Sequence, residues 1–253
     1  VLQQDEKTRA LSPPPPLDVR QHALFLDLDG TLVDFAAHPE QVVASGDLRL
    51  LLQQLAHAMN GALAIITGRT VASADAVLDG ALVHVAGVHG AEHRAGKTTE
   101  RSFSDLSPVA AAVADATALI ANGALDADIE DKGAALVLHY RRVPQFADAV
   151  RRAAGELAQR HGLNILEGKM VVELKLGQRT KANAVADFMS AQPFSGRTPI
   201  AIGDDITDED AFRAVKEHGG DAILVGEARA TVAAWRLPDT QAVSAWLQAG
   251  LTP

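Results

Sequence analysis

The chain has 253 residues, 47% of them hydrophobic, only 4% aromatic and none a cysteine, with a formal net charge of −9 at pH 7. That size suits one α/β domain carrying a smaller inserted module, and the acidic balance argues against nucleic acid or an anionic membrane surface as partner. The absent thiols exclude a cysteine nucleophile, Cys-ligated zinc, an iron–sulfur cluster and any disulfide.

Residues 1–20 read as an N-terminal Pro-rich tail. The opening VLQQDEKTRA is polar and mixed in charge, without the basic-then-apolar pattern of a signal peptide. Pro13 to Pro16 form a stiff polyproline-prone run, read as a spacer. No stretch approaches the ~20 apolar residues of a membrane span, so a soluble cytoplasmic protein is expected.

From residue 21 the pattern alternates. Ala23-Leu24-Phe25-Leu26 is apolar on both faces, as in a buried parallel strand, and runs into Asp27. Leu48, Leu51, Leu52 and Leu55 have helical spacing through Met59. Ala62 to Ile66 predicts a second buried strand ending at Thr67-Gly68-Arg69. Val71 to Leu78 predicts a helix and Leu82 to Ala86 a third strand. Strands alternating with helices imply a parallel sheet with right-handed crossovers.

The pattern changes over 105–176. Helices are expected over Pro108 to Ile120 and Gln145 to Arg160. Strands are expected at Asp128 to Glu130, Ala135 to Tyr140, Asn164 to Leu166 and Met170 to Leu174. Two αββ units predict an α+β module with an antiparallel sheet, inserted between core segments 21–104 and 177–253. Thereafter the alternation resumes: helix Thr180 to Met189, strand Pro199 to Ile202, helix Asp208 to Glu217 with acids in its first turn, strand Asp221 to Val225, and helical segments carrying Trp235 and Trp246, both read as core residues.

Three core strands end in polar clusters: Asp27-Leu28-Asp29-Gly30-Thr31, Thr67-Gly68-Arg69 and Gly203-Asp204-Asp205. Ligands of open α/β sheets bind outside the carboxyl ends of the strands, so these segments are expected to converge. Asp27, Asp29, Asp204, Asp205 and Asp208 would then crowd one pocket. Two carboxylates ~4 Å apart repel by about 4 kcal/mol at an effective dielectric of ~20. A hard cation would relieve that, and Mg²⁺ with a phosphate co-ligand suits oxygen donors. Asp27 is the candidate nucleophile and Asp29 the candidate acid/base. Gly30 lets the backbone bend close to the phosphate. Thr67 is expected to offer a hydroxyl and a free backbone N–H to phosphate oxygens, and Lys181 a positive charge. Arg69 reads either as a phosphate-side contact or as an ion-pair partner orienting Asp residues. His84, His89 and His93 share no helix face and lack an accompanying acidic motif, which argues against a zinc site. His89, between Gly87 and Gly90, is expected to line the domain boundary or the substrate pocket.

These four motifs, DLDGT, the Thr of ITGR, a downstream lysine and GDD, resemble those of the haloacid dehalogenase superfamily of phosphatases. The resemblance implies a Rossmann-like core with a mobile cap inserted between the second and third motifs. It also implies Mg²⁺ held by Asp27, the backbone carbonyl of Asp29 and Asp204, with Asp205 and Asp208 as further or outer ligands. A narrower resemblance, to the trehalose-6-phosphate phosphatases, rests on Gly87 to Glu92, Glu130-Asp131-Lys132, His139-Tyr140-Arg141, Glu167-Gly168-Lys169, Val172 to Lys175 and Gly203 to Asp210. One departure is Ala182, where that family usually has a Gly after the lysine. The resemblance implies hydrolysis of trehalose 6-phosphate through a phospho-aspartate. In that family the residues matching Glu130, Lys132 and Glu167 look like contacts to the disaccharide, and their carboxylates and ammonium suit sugar hydroxyls; Gly68, Arg69 and His89 are also expected on the substrate side. The expected partner is a small phosphorylated disaccharide, and a monomer is expected. The alternatives are a phosphatase or mutase of another sugar or polyol phosphate, and a non-catalytic sugar-phosphate sensor.

Overall fold

The computed structural model describes residues 11–36, 41–96, 98–168 and 170–252. In chain order the elements are β1 (His22–Leu26), α1 (Gly46–Ala58), β2 (Leu63–Ile66), α2 (Val71–Leu78), β3 (His84–Gly87), β4 (Glu92–Ala95), β5 (Thr99–Arg101), α3 (Ser107–Ala121), β6 (Asp128–Asp131), β7 (Ala135–His139), α4 (Ala147–His161), β8 (Asn164–Gly168), β9 (Val171–Lys175), α5 (Lys181–Met189), β10 (Thr198–Gly203), α6 (Glu209–Glu217), β11 (Asp221–Val225), β12 (Trp235–Leu237) and α7 (Thr240–Ala249). They form two compact units. One joins the stretch up to Glu100 to the stretch from Thr180, and the other is Arg101–Arg179. The breaks lie a few residues outside the change of pattern read at 105 and 176.

The larger unit is a Rossmann-like α/β sheet in the order β12-β11-β10-β1-β2-β3-β4-β5. Strand β1 lies between β10 and β2, parallel to both, with Leu26 level with Ile202 and Ile65. Buried on both sides, it needs apolar residues throughout, which is why Ala23 to Leu26 do not alternate. Helix α1 starts at Ser45, whose hydroxyl accepts from the Leu48 N–H at 3.1 Å, and its Leu48, Leu51, Leu52 and Leu55 face the core. The N-cap of α2 is Thr70, so Thr67-Gly68-Arg69 is held between the end of β2 and a helix start.

Three features depart from the sequence reading. Strand β4 runs antiparallel to β3, and β5 extends that edge. Both are polar (Glu92–Ala95, Thr99–Arg101) and carry no apolar alternation to announce a strand. Trp235 lies in β12, parallel to β11, rather than in a helix. Trp235 and Trp246 both pack partly buried against the core. Finally, residues 11–20 do not behave as a free spacer. Leu17 is buried in the core, Ser12 bridges to Trp235, and Trp246 Nε1 donates to the Pro15 carbonyl at 2.9 Å. The opening VLQQDEKTRA lies outside the described residues.

The smaller unit contains the two expected αββ units, α3-β6-β7 and α4-β8-β9, with an antiparallel sheet in the order β6-β7-β9-β8. Leu136, Leu138, Val172 and Leu174 pack with Val109, Ala112 and Ala116 of α3 and Val150, Ala154 and Leu157 of α4. Because side chains alternate along a strand, the opposite face is set by register: Glu130 is level with Val137, Val137 with Glu173, and Glu173 with Leu166.

Candidate active site

The carboxyl ends of β1 and β10 bring three carboxylates together. Asp27 follows β1 directly, while Asp204 and Asp208 follow β10. One oxygen from each lies within 4.8 Å of the others. Lys181, the first residue of α5, is buried between two of them, its Nζ 2.6 Å from both Asp27 Oδ1 and Asp208 Oδ1. Thr180 sets its position by capping α5, with Asn183 Oδ1 accepting from the Thr180 N–H at 2.9 Å.

Two glycines make the approach possible. A Cβ on Gly203 would lie 2.2 Å from Asp208 Cγ, and one on Gly30 would lie 2.4 Å from Asp204 Oδ2. Gly30 also has φ +79°, in the left-handed region that other residues resist.

The electrostatics follow from burial. Loss of solvent pushes the Asp27 carboxyl well above its ordinary value. Lys181 opposes that rise, and Asp208 and Asp204 add to it. Burial, then Asp208 and Asp205, push Asp204 up to about 7 against the pull of Lys181. Burial alone would lower Lys181, but Asp208 and Asp27 outweigh it and hold the ammonium above the ordinary lysine range. One cation thus faces three crowded carboxylates. Hard oxygen donors with excess negative charge fit a small divalent cation.

Not every expected residue takes its expected part. Asp205 Oδ1 accepts from the Ile206 N–H at 2.7 Å, capping the short 3-10 turn Ile206–Asp208, while the Asp205 N–H donates to Asp208 Oδ2 at 2.9 Å. The group of carboxylates within 4.8 Å of one another holds Asp208 beside Asp27 and Asp204, and Asp205 is not among them. The spacing Asp-x-x-Asp is the signal that places Asp208 there, since it is the reciprocal capping arrangement. The Asp29 side chain points to Arg69: Nε lies 2.7 Å from Oδ2 and Nη2 2.7 Å from Oδ1. Of the two readings of Arg69, the ion-pair partner is the one seen. The Thr67 N–H is not free. It donates to the Ala86 carbonyl at 2.9 Å, because the parallel ladder with β3 runs one residue past β2. Thr67 Oγ1 accepts from the Arg69 N–H at 3.1 Å.

His89 is buried with φ 52°, against Gly68, where a Cβ would lie 2.8 Å from His89 Nε2. The His89 N–H donates to the Thr67 carbonyl at 3.0 Å and the Val88 N–H to the Arg69 carbonyl at 2.8 Å. Gly68, Arg69 and His89 are thereby stitched into one loop pair beside Thr67.

Within the smaller unit, Glu130 Oε2 meets His139 Nε2 at 2.9 Å, and Lys132 Nζ donates to Glu173 Oε2 at 3.1 Å. Glu130 and Glu173 share the sheet face away from α3 and α4. Burial would raise the Glu130 carboxyl, but the His139 hydrogen bond and the charge of Lys132 hold it below its ordinary value. Glu167 is level with Val172 on the other face, with Oε2 3.6 Å from Arg151 Nε of α4. Glu167 was expected beside Glu130 and Lys132, while Glu173, one of the residues carrying the resemblance, had no expected substrate role. A lone acid inside the otherwise apolar run Val171–Leu174 was the available signal. Lys169 lies outside the described residues.

Comparison with known proteins gives concordant results. The family model described as trehalose-phosphatase matches residues 25–241. The trehalose-6-phosphate phosphatase of Escherichia coli (strain K12) is 39% identical over 244 residues, covering 95% of this chain and 90% of that protein. Among solved structures, the C-terminal domain of a C. albicans trehalose-6-phosphate phosphatase superposes with a TM-score of 0.78 at 21% identity, over 92% of each chain. A haloacid dehalogenase-like hydrolase from Bacteroides thetaiotaomicron superposes with a TM-score of 0.62 at 16% identity, over 90% of this chain and 98% of that one.

Proposed function

Since the chain belongs to the trehalose-phosphatase family, and is thus a phosphoric monoester hydrolase, we propose that it hydrolyses trehalose 6-phosphate through a phospho-aspartate on Asp27, with Mg²⁺ as cofactor. The observation that carries this reading is the convergence of Asp27, Asp204 and Asp208 around Lys181 at the ends of β1 and β10.

Asp27, Asp204 and Asp208 would hold the metal, together with the Asp29 main chain. Bound there, Mg²⁺ supplies positive charge that offsets both the carboxylates and the phosphate dianion. Asp27 offers a carboxylate oxygen to phosphorus, and the phosphorus–sugar oxygen bond breaks as the new bond forms. Lys181, fixed by two carboxylates, draws on the charge that spreads over the phosphoryl oxygens. The Thr67 hydroxyl donates its proton to one of those oxygens.

Asp29 protonates the departing sugar alkoxide, then takes a proton from the water that attacks phosphorus. That attack releases inorganic phosphate and restores Asp27. Each Asp29 oxygen accepts one N–H from Arg69, which leaves a lone pair on each where the proton can sit.

Sugar selection is assigned to Glu130, Lys132 and Glu173, whose alternation of acceptors and donor suits hydroxyls. Gly68 and His89 shape the loop beside Thr67. Glu167, paired with Arg151 on the helix side, is given no sugar contact.

Phosphate release from trehalose, sucrose, glucose and mannose phosphates, with and without EDTA, tests the reading. Release from trehalose 6-phosphate that is fastest of the four and abolished by EDTA is expected. Comparable rates on all four, or indifference to EDTA, would overturn the substrate or the cofactor respectively.

A further inference from the structure

Outside the carboxylate cluster, the ion pair between buried Glu209 and partly buried Arg229 plays no part in the chemistry above. Glu209 opens α6 and is buried, one residue past Asp208. Its Oε2 accepts from the Val232 N–H at 3.0 Å, and its Oε1 accepts from Arg229 Nη1. The Arg229 guanidinium then turns back to the strand end. Nη2 donates to the Asp205 carbonyl at 2.7 Å, and Nε lies 3.4 Å from the Asp204 carbonyl.

Gly203 admits Asp208 underneath it, and the Asp205–Asp208 cap sets the turn. The Asp205 N–H donates to Asp208 Oδ2 and the Asp205 carbonyl accepts from the Asp208 N–H at 3.1 Å, and the Arg229 fork adds a side-chain hold on the Asp204 and Asp205 carbonyls. A planar guanidinium reaches two successive carbonyls and a carboxylate at once, which a lysine ammonium on a flexible stem does not reproduce. Glu209 is thus buried beside the cluster, its charge met by an Arg229 side chain that keeps 25% of its surface exposed.

We infer that Arg229, anchored by Glu209, is a positioning residue for the metal: it holds the Asp204 and Asp205 peptides so that the Asp204 carboxylate stays within reach of Asp27 and Asp208. The inference rests on the Mg²⁺ reading above. Partners that orient metal ligands without touching the metal commonly change metal affinity by about 10- to 100-fold when removed.

The test uses the full chain and Mg²⁺ alone as probe. Calorimetric Mg²⁺ titration, thermal melting in EDTA, and KM for trehalose 6-phosphate at saturating Mg²⁺ are measured for the wild type, Arg229→Lys, Glu209→Gln and Asp204→Asn. Glu209→Gln keeps the side-chain shape and the bond from Val232, so it serves if Arg229→Lys does not fold. The expected result is Mg²⁺ affinity weakened about tenfold or more in Arg229→Lys and in Glu209→Gln, with KM at saturating Mg²⁺ within about twofold of wild type. A lower melting temperature with unchanged Mg²⁺ affinity would show a merely structural pair and overturn the inference. Wild type and Asp204→Asn that both fail to bind Mg²⁺ would overturn the cofactor reading and the inference with it. Loss of binding in Asp204→Asn alone, with the other variants like wild type, would overturn the inference and leave the cofactor reading standing.

Discussion

Gly30 and Asp204, far apart in the chain, sit so close that a Cβ on residue 30 would come within 2.4 Å of Asp204 Oδ2. The bend after Asp29 and the carboxylate after β10 therefore share one space, and only a residue without a side chain leaves it to the carboxylate. Gly30→Ala adds a positive-φ penalty to that clash. Displacing Asp204 by about 1 Å is expected to lower kcat/KM about a hundredfold. Steady-state kinetics of Gly30→Ala at saturating Mg²⁺ checks this, and activity within about threefold of wild type would contradict it.

Lys181 is the only side-chain cation that the described structure places in contact with Asp27 and Asp208. Lys181→Met keeps the length and removes the charge. Breaking a buried pair leaves the remaining charges uncompensated, at a cost of about 3 kcal/mol or more. Lower stability in EDTA by denaturant unfolding is expected, with kcat reduced at least about a hundredfold. Wild-type kcat in this variant would remove Lys181 from the chemistry.

The two faces of the smaller sheet make opposite predictions. Lys132→Ala and Glu173→Ala strike a pair at 3.1 Å on the face that also carries Glu130. Each is expected to raise KM for trehalose 6-phosphate at least about tenfold, the scale of one lost hydrogen bond to a charged group, while turnover of a small aryl phosphate changes little. Glu167→Ala breaks only an exposed contact at 3.6 Å to Arg151 and is expected to leave both substrates within about twofold. A large KM effect at Glu167 with none at Glu173 would reverse the assignment.

His84 gives a pH signature of folding unrelated to catalysis. It packs edge-on to Phe188 and Phe194, with ring centroids 5.9 and 5.1 Å away, and its Nδ1 is buried without a hydrogen-bond partner. Burial, with His93 and Arg94 nearby, lowers its pKa below the ordinary 6.5. The unfolded chain therefore binds this proton first as pH falls. Stability from His84 is complete well above 6.5 and declines as pH drops from there toward the folded value. Raised carboxylates such as Asp27 act in the opposite sense, so the contribution is read as a difference. His84→Phe is expected to lose less stability than wild type between pH 7 and pH 5.5. Parallel curves would contradict this.

Much of this was legible in the residues. The buried strands β1 and β10 announced themselves by unbroken apolar runs, and Asp27, Lys181 and Asp204 stood at element ends where side chains must converge. What stayed hidden depended on geometry that spacing does not encode. β4 and β5 are polar edge strands without a period. The Thr67 N–H looked available because nothing local showed that the ladder with β3 continues to Ala86. Glu167 and Glu173 are both acids in strand-like runs. Only the pairing of Glu167 with Val172, and of Glu173 with Val137, separates the helix side from the other face.

The most direct test of the central claim is to trap the covalent intermediate. The enzyme is mixed with trehalose 6-phosphate labelled in the phosphoryl group, quenched in acid within a turnover, and digested for peptide mapping. The account predicts label on the peptide containing Asp27, released by hydroxylamine as an acyl phosphate should be, and neither label nor phosphate release in a folded Asp27→Asn variant. Wild-type turnover with no label on Asp27, together with near-normal phosphate release by Asp27→Asn, would contradict it.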